Sequence, residues 1–268
     1  MKKILHIILI TIISLTVISC RSSDDSKTTT SSVSFVAVGT SGTLLTSSDG
    51  TSWTSRTSGT SNGLQRVIYA NSTFVTVGDS GTILTSSDGI SWTSRTSGTT
   101  NRLYDITYGN STFVTVGDSG TILTSSDGTS WDNRTSGTSY GLQKVFYANS
   151  RFMVVGDAGS MLRSSDGISW DNSTSQTTAN LYGIHYVNSS IVMVGESGNI
   201  ITSLNDGSDW DNRTSGTTNR LYKVTYGNST FVTVGLSGTI LTSSDNGTTW
   251  ISRTSGTTET LHGIAYKE

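Results

Sequence analysis

Tryptophan recurs at positions 53, 92, 131, 170, 210 and 250, with spacings of 39, 39, 39, 40 and 40 residues. Residues 72–89, "STFVTVGDSGTILTSSDG", return letter for letter at 111–128. A unit of about 40 residues is one supersecondary element. It cannot bury its own apolar face, so successive units must stack. Within the unit that starts at Leu103, the chain reads "LYDITYGN", "STFVTVGD", "SGTILTSS" and, after a "DG" turn, "TSWDNRTS". β-branched and aromatic residues crowd these stretches and turn residues separate them, which predicts four short strands per unit.

Neighbouring positions such as Phe113–Val114 and Ile122–Leu123 are both apolar. Such strands bury both faces, as a sheet does between two others. The fold class predicted is therefore all-β, a six-bladed β-propeller of four-stranded blades over residues 33–268. The first-strand motif Leu-x-x-[Val/Ile]-x-Tyr begins at Leu64, Leu103, Leu142, Leu181, Leu221 and Leu261. The folded part begins with a second strand (33–39) and ends with a first strand (261–266). The expectation is that the C-terminal strand pairs with the N-terminal partial blade and closes the ring, which removes exposed edges.

Each tryptophan ends a stretch such as "SSDGTSW", giving the pairs Asp49/Trp53, Asp88/Trp92, Asp127/Trp131, Asp166/Trp170 and Asp245/Trp250; in the fifth copy Asn205 precedes Trp210. Glycine suits a tight turn, the carboxylate accepts turn N–H groups, and the indole plugs the gap between blades. "SSDNGTTW" at 243–250 matches the Asp-box pattern Ser-x-Asp-x-Gly-x-Thr-Trp. Together with "VTVGDSGTIL", the units resemble the BNR/Asp-box blades of sialidase-like proteins. They are closer still to the repeat of the photosystem II assembly/stability factor family, "VGxxGxIxxSxDGGxxW". The resemblance covers about 33–268 and implies the fold more than any activity.

Sialidase-like enzymes need three arginines, a Tyr nucleophile with a Glu partner and an acidic acid/base. Here Arg56, Arg95, Arg134, Arg213 and Arg253 fill one repeated slot, and beyond the leader Glu is limited to 196, 259 and 268. There is no proline, so the Phe-Arg-Ile-Pro motif of those enzymes is absent. Identical motifs spread around a ring also cannot converge on one substrate. The expectation is a protein that is not an enzyme and has neither cofactor nor metal site. A sialidase-like glycoside hydrolase is the alternative. A net charge of −2 argues against a nucleic-acid partner.

Binding has to come from positions that break the repeat. The second slot of the first strand reads Gln65, Tyr104, Gln143, Tyr182, Tyr222, His262, and the third reads Arg66, Asp105, Lys144, Gly183, Lys223, Gly263. Tyr140 stands in a variable linker. Alternating strand directions put these positions on one face, around the channel mouth. There they join the turn residues Asp79, Asp118, Asp157 and Glu196, opposite the Asp-box hairpins. The candidate face is Gln65, Arg66, Tyr104, Asp105, Tyr140, Gln143, Lys144, Tyr182, Tyr222, Lys223 and His262, with a protein or glycan as partner.

At the N-terminus, Lys2-Lys3 precede an apolar run that ends in "VISC", and Cys20 is the sole cysteine. This resembles a bacterial lipoprotein signal (1–19), with Cys20 lipidated and holding the protein to a membrane. The polar stretch 20–32 then serves as a flexible tether. Arg21 after the cysteine implies the outer membrane, and Asp24-Asp25 resembles a surface-export tether. The expectation is a lipid-anchored, cell-envelope binding or scaffold protein, with a structural repeat protein lacking a specific ligand as a further alternative.

Overall fold

The computed structural model describes residues 33–266. The signal-like segment, Cys20 and the tether lie outside the described residues. Six antiparallel sheets follow one another along the chain. The first has three strands, Phe35–Val38, Leu44–Ser47 and Thr54–Ser55. The second has four, Leu64–Ala70, Thr73–Gly78, Ile83–Ser86 and Thr93–Arg95. The third to sixth repeat that pattern, with innermost strands Leu103–Gly109, Leu142–Ala148, Leu181–Val187 and Leu221–Gly227. This is the six-bladed propeller arrangement expected from the period.

Turn chemistry sets the strand boundaries. Innermost and second strands meet at Asn-Ser pairs such as Asn110 (φ 45°) and Ser111 (φ 58°), the left-handed pair that suits a right-twisted hairpin. Second and third strands meet at a single 3₁₀ turn, for example Asp79–Gly81. A Cβ on Gly81 would sit 2.0 Å from the Thr99 carbonyl oxygen, so this position admits only glycine. The outer strand is shorter than expected: of "TSWDNRTS" only Asp132–Arg134 pairs. It is an edge with no partner beyond it.

The core lies between sheets. Five apolar clusters are buried, each shared by two successive sheets. In one, Val114, Val116 and Ile122 of the third sheet meet Leu142, Val145, Phe152, Val154 and Leu162 of the fourth. Residues such as Val75, Val114, Phe113 and Val192 have no exposed surface, and each such side chain contributes about 1.5–3 kcal/mol.

Among the described residues the strand pairing expected to close the ring is not formed. Phe35–Val38 pairs only with Leu44–Ser47, and 261–266 carries no strand. That segment nevertheless packs on the sixth sheet as each innermost strand packs on the sheet before it. The Leu261 N–H donates to the Gly235 carbonyl at 2.9 Å, as Leu64 does to Gly39. Tyr266 packs against Gly227 as Tyr147 packs against Gly109. The consequence shows at the first sheet. A Cβ on Gly128, Gly167 or Gly247 would meet Val75, Val114 or Val192 of the preceding sheet, whereas one on Gly50 would meet only Phe35 of its own. Phe35 is accordingly 49% exposed and Trp53 43%, while Phe113, Phe152 and Phe231 are fully buried.

Candidate functional site

The Asp-box hairpins are clasps built from local hydrogen bonds. In the third sheet Asp127 Oδ1 accepts the N–H groups of Thr129 (2.7 Å) and Ser130 (3.0 Å). Buried Ser125 donates to Asp127 and accepts the Gly128 N–H at 2.8 Å. Trp131 Nε1 donates to the Gly128 carbonyl at 3.0 Å. Asp49 and Asp88 are held in the same way by Ser47 and Ser86, as are Asp166 and Asp245 by Ser164 and Ser243. Hydrogen bonds from the turn N–H and hydroxyl groups keep these carboxyls well below the usual carboxylate range. The indoles are less buried than a plug requires. Trp92, Trp131, Trp170, Trp210 and Trp250 are half-buried against the neighbouring core, and Trp53 is exposed, with no sheet of the described residues packed on that side.

The fifth copy is built differently. Asn205 Oδ1 accepts the Asp209 N–H at 2.9 Å. Arg163 of the fourth sheet stacks 5.5 Å from Trp210 and donates to the Gly207 carbonyl, leaving Trp210 Nε1 without a partner. Arg163 occupies the slot where other sheets carry threonine, and Ser173 the slot where they carry arginine. Those arginines are structural: Arg56, Arg95, Arg134, Arg213 and Arg253 each donate through Nε to Thr46, Thr85, Thr124, Thr202 and Thr242.

At the other end of the strands, the repeat-breaking residues separate into three groups. The first is a row of paired side chains. Gln65 donates to Asp79 (3.0 Å), Tyr104 to Asp118 (2.7 Å) and Gln143 to Asp157 (3.1 Å). Burial, with the Asp118 contact behind it, pushes the Tyr104 hydroxyl up to about 12. Arg102, absent from the expected set, donates to Asp79 and holds its carboxyl below the ordinary range. Asp157 is shifted the other way. Burial raises it, and the charges of Asp118 and Glu196 add to that rise against the Gln143 hydrogen bond.

The second group is aromatic. Tyr182 and Tyr222 lie with ring centroids 6.0 Å apart, and Tyr222 and His262 5.0 Å apart. Arg220 sits 5.2 Å from the Tyr182 ring and 5.9 Å from Tyr222, held by Glu196 at 2.8 Å. Arg220 was not among the expected site residues. Its only sequence signal is the linker reading "TNR", shared with Arg102. Tyr140 joins neither group: it is 54% exposed.

The third group lines the channel. Arg66, Asp105, Lys144 and Lys223, with Gly183, belong to one cavity of about 320 Å³. Asp105, 6% exposed, accepts the Val145 N–H at 3.2 Å and faces Arg66 Nε at 3.4 Å and Lys144 Nζ at 4.0 Å. Among the described residues, no three His, Cys, Asp or Glu side chains are placed to hold a metal ion.

No family model matches the chain, and no curated protein matches it in sequence. Solved structures share the fold at low identity. YCF48 bound to D1 peptide has a TM-score of 0.65 at 20% identity, covering 81% of this chain and 76% of that one. YCF48 from Cyanidioschyzon merolae has 0.63 at 17%, covering 81% and 80%. The GH74 enzyme of Niastella koreensis has 0.51 at 19%, covering 82% of this chain but 37% of that one. The chain is a β-propeller protein, similar in fold to YCF48 and to part of the GH74 enzyme.

Proposed function

We propose that the chain is a non-enzymatic binding protein that engages an extended protein segment through Tyr182, Tyr222, His262 and Arg220. The observation that carries this reading is the aromatic row itself. Three tilted rings follow one another at 6.0 and 5.0 Å, and a guanidinium that Glu196 keeps in place lies over the two tyrosines. Tyrosine and arginine offer large contact area at low entropic cost and dominate binding hot spots. A propeller of similar fold, YCF48, is bound to a D1 peptide, which supports a peptide as the ligand class. The signal-like residues up to Cys20 support anchoring of this face at the cell envelope, in the outer membrane or on its surface. Replacement of Cys20 by Ser would then release the chain from the membrane fraction.

The test is binding of full-length chain to an array of envelope-protein peptides, compared with Tyr182→Ala/Tyr222→Ala/His262→Ala. Loss of ten-fold or more on the triple variant, with unchanged thermal stability, supports the reading. Peptides retained equally by the variant sink it, and no bound peptide at all favours a purely structural repeat. The second reading is glycan cleavage. It draws on Asp157, a carboxyl raised beside Asp118 and Glu196, and on the GH74 fold neighbour. Reducing-sugar release that vanishes on Asp157→Asn decides for it.

A further inference from the structure

The channel cavity is a site of a different kind from the aromatic row. Its charged end holds three cations, Arg66, Lys144 and Lys223, contributed by the innermost strands of the second, fourth and sixth sheets. Among the described residues one carboxylate, Asp105, answers them. Two positive charges are thus left over. Lys223 feels the excess: burial, then the charges of Lys144 and Arg66, depress its ammonium below the ordinary lysine range, and Asp105 opposes this only in part. Further along the same strands the lining is mixed: half-buried Ile68, Phe146 and Ile184 share it with Ala70, Thr107 and Tyr69, and Ile106 and Val145 are buried behind it. The turn acids of the rim do not line it, and Asp79 and Glu196 are already engaged by Arg102 and Arg220.

Cations converging in a half-buried cleft are costly unless an anion joins them. The half-buried apolar side chains of Ile68, Phe146 and Ile184 behind them add a second requirement. At about 320 Å³ the cavity is at the small end of ligand sites. We propose that the channel binds a small amphipathic anion, with its anionic oxygen head among Arg66, Lys144 and Lys223 and its short apolar body along Ile68, Phe146 and Ile184.

The probe is octanoate, with 1-octanol and inorganic phosphate as the two halves of its chemistry. Binding to full-length chain is measured by calorimetry and by thermal shift. Octanoate is expected to bind at one site and raise the melting temperature, with octanol and phosphate each at least ten-fold weaker. Lys144→Met/Lys223→Met is expected to weaken octanoate by about ten-fold or more, the scale for losing hydrogen bonds to a charged group. The same variant, relieved of repulsion, should melt no lower than the parent without ligand, which separates lost binding from lost folding. Octanol binding as tightly as octanoate removes the charge argument, and phosphate doing so removes the apolar one. Either result, or octanoate affinity unchanged in the double variant, or no octanoate binding, overturns the proposal.

Discussion

Phe113 and Phe35 occupy the same repeat position but not the same environment, and their truncation tests whether the two end sheets meet. Phe113 is fully buried, 4.6 Å from the Tyr108 ring, with the third-sheet clasp packed beside it. Phe35 is 49% exposed, and its aromatic partner is Trp53 at 6.5 Å. Phe113→Ala removes a complete core side chain and leaves a cavity, which costs about 3–5 kcal/mol. Phe35→Ala removes about half that burial, and solvent fills the space, so about 1–2 kcal/mol is expected. Urea unfolding followed by tryptophan fluorescence reads the difference. With an m of about 2–3 kcal/mol/M, a gap of ~2 kcal/mol separates the midpoints by about 0.7–1 M. Equal midpoint losses would refute the reasoning. They would mean that Phe35 is covered in solution, with the first sheet docked on the sixth and 261–266 supplying its missing inner strand.

Three further outcomes follow from the clasps and turns. Ser125→Ala leaves the buried Gly128 N–H without its acceptor and should cost about 1–3 kcal/mol in the same assay. Gly81→Ala should prevent folding or nearly so, because its Cβ would overlap the Thr99 carbonyl; Gly98→Ala meets nothing within 4 Å at φ 73° and should cost only about 1–2 kcal/mol of left-handed strain. The clasp carboxyls have depressed folded-state values, Asp245 at about 2, so their contribution is fully present above the unfolded value of about 3.9 and is lost as pH falls through the folded values. Melting temperature should therefore hold from neutrality to about pH 4 and drop steeply towards pH 2; a drop centred near pH 6 would contradict this account.

The clasps were legible because they are local. Every bond that holds Asp127 comes from Ser125, Thr129 or Ser130, within three residues. The serine's share is not legible in the same way, since a hydroxyl that both donates and accepts looks in sequence like any other polar turn residue. The face was legible only as a set of positions. Sequence distinguishes Tyr182 and Tyr222 from the glutamines in the same slot, but not their convergence on Arg220 from the neighbouring linker. Nor does it separate the third-slot cations into a channel of their own.

By itself, the sequence determined the period, the four-strand unit, the sheet order and the clasp, because strand alternation, turn chemistry and Asp-box bonding act over a few residues. Tertiary structure alone decided three things. Lys144, Lys223 and Arg66 share one cavity. The aromatic residues of the fifth and sixth sheets form a row with His262. The C-terminal segment packs on the sixth sheet but, among the described residues, makes no ladder with the first. Each of these depends on how far every sheet turns relative to its neighbour. Packing between large side chains sets that angle, it accumulates over six sheets, and no stretch of 40 residues encodes the sum.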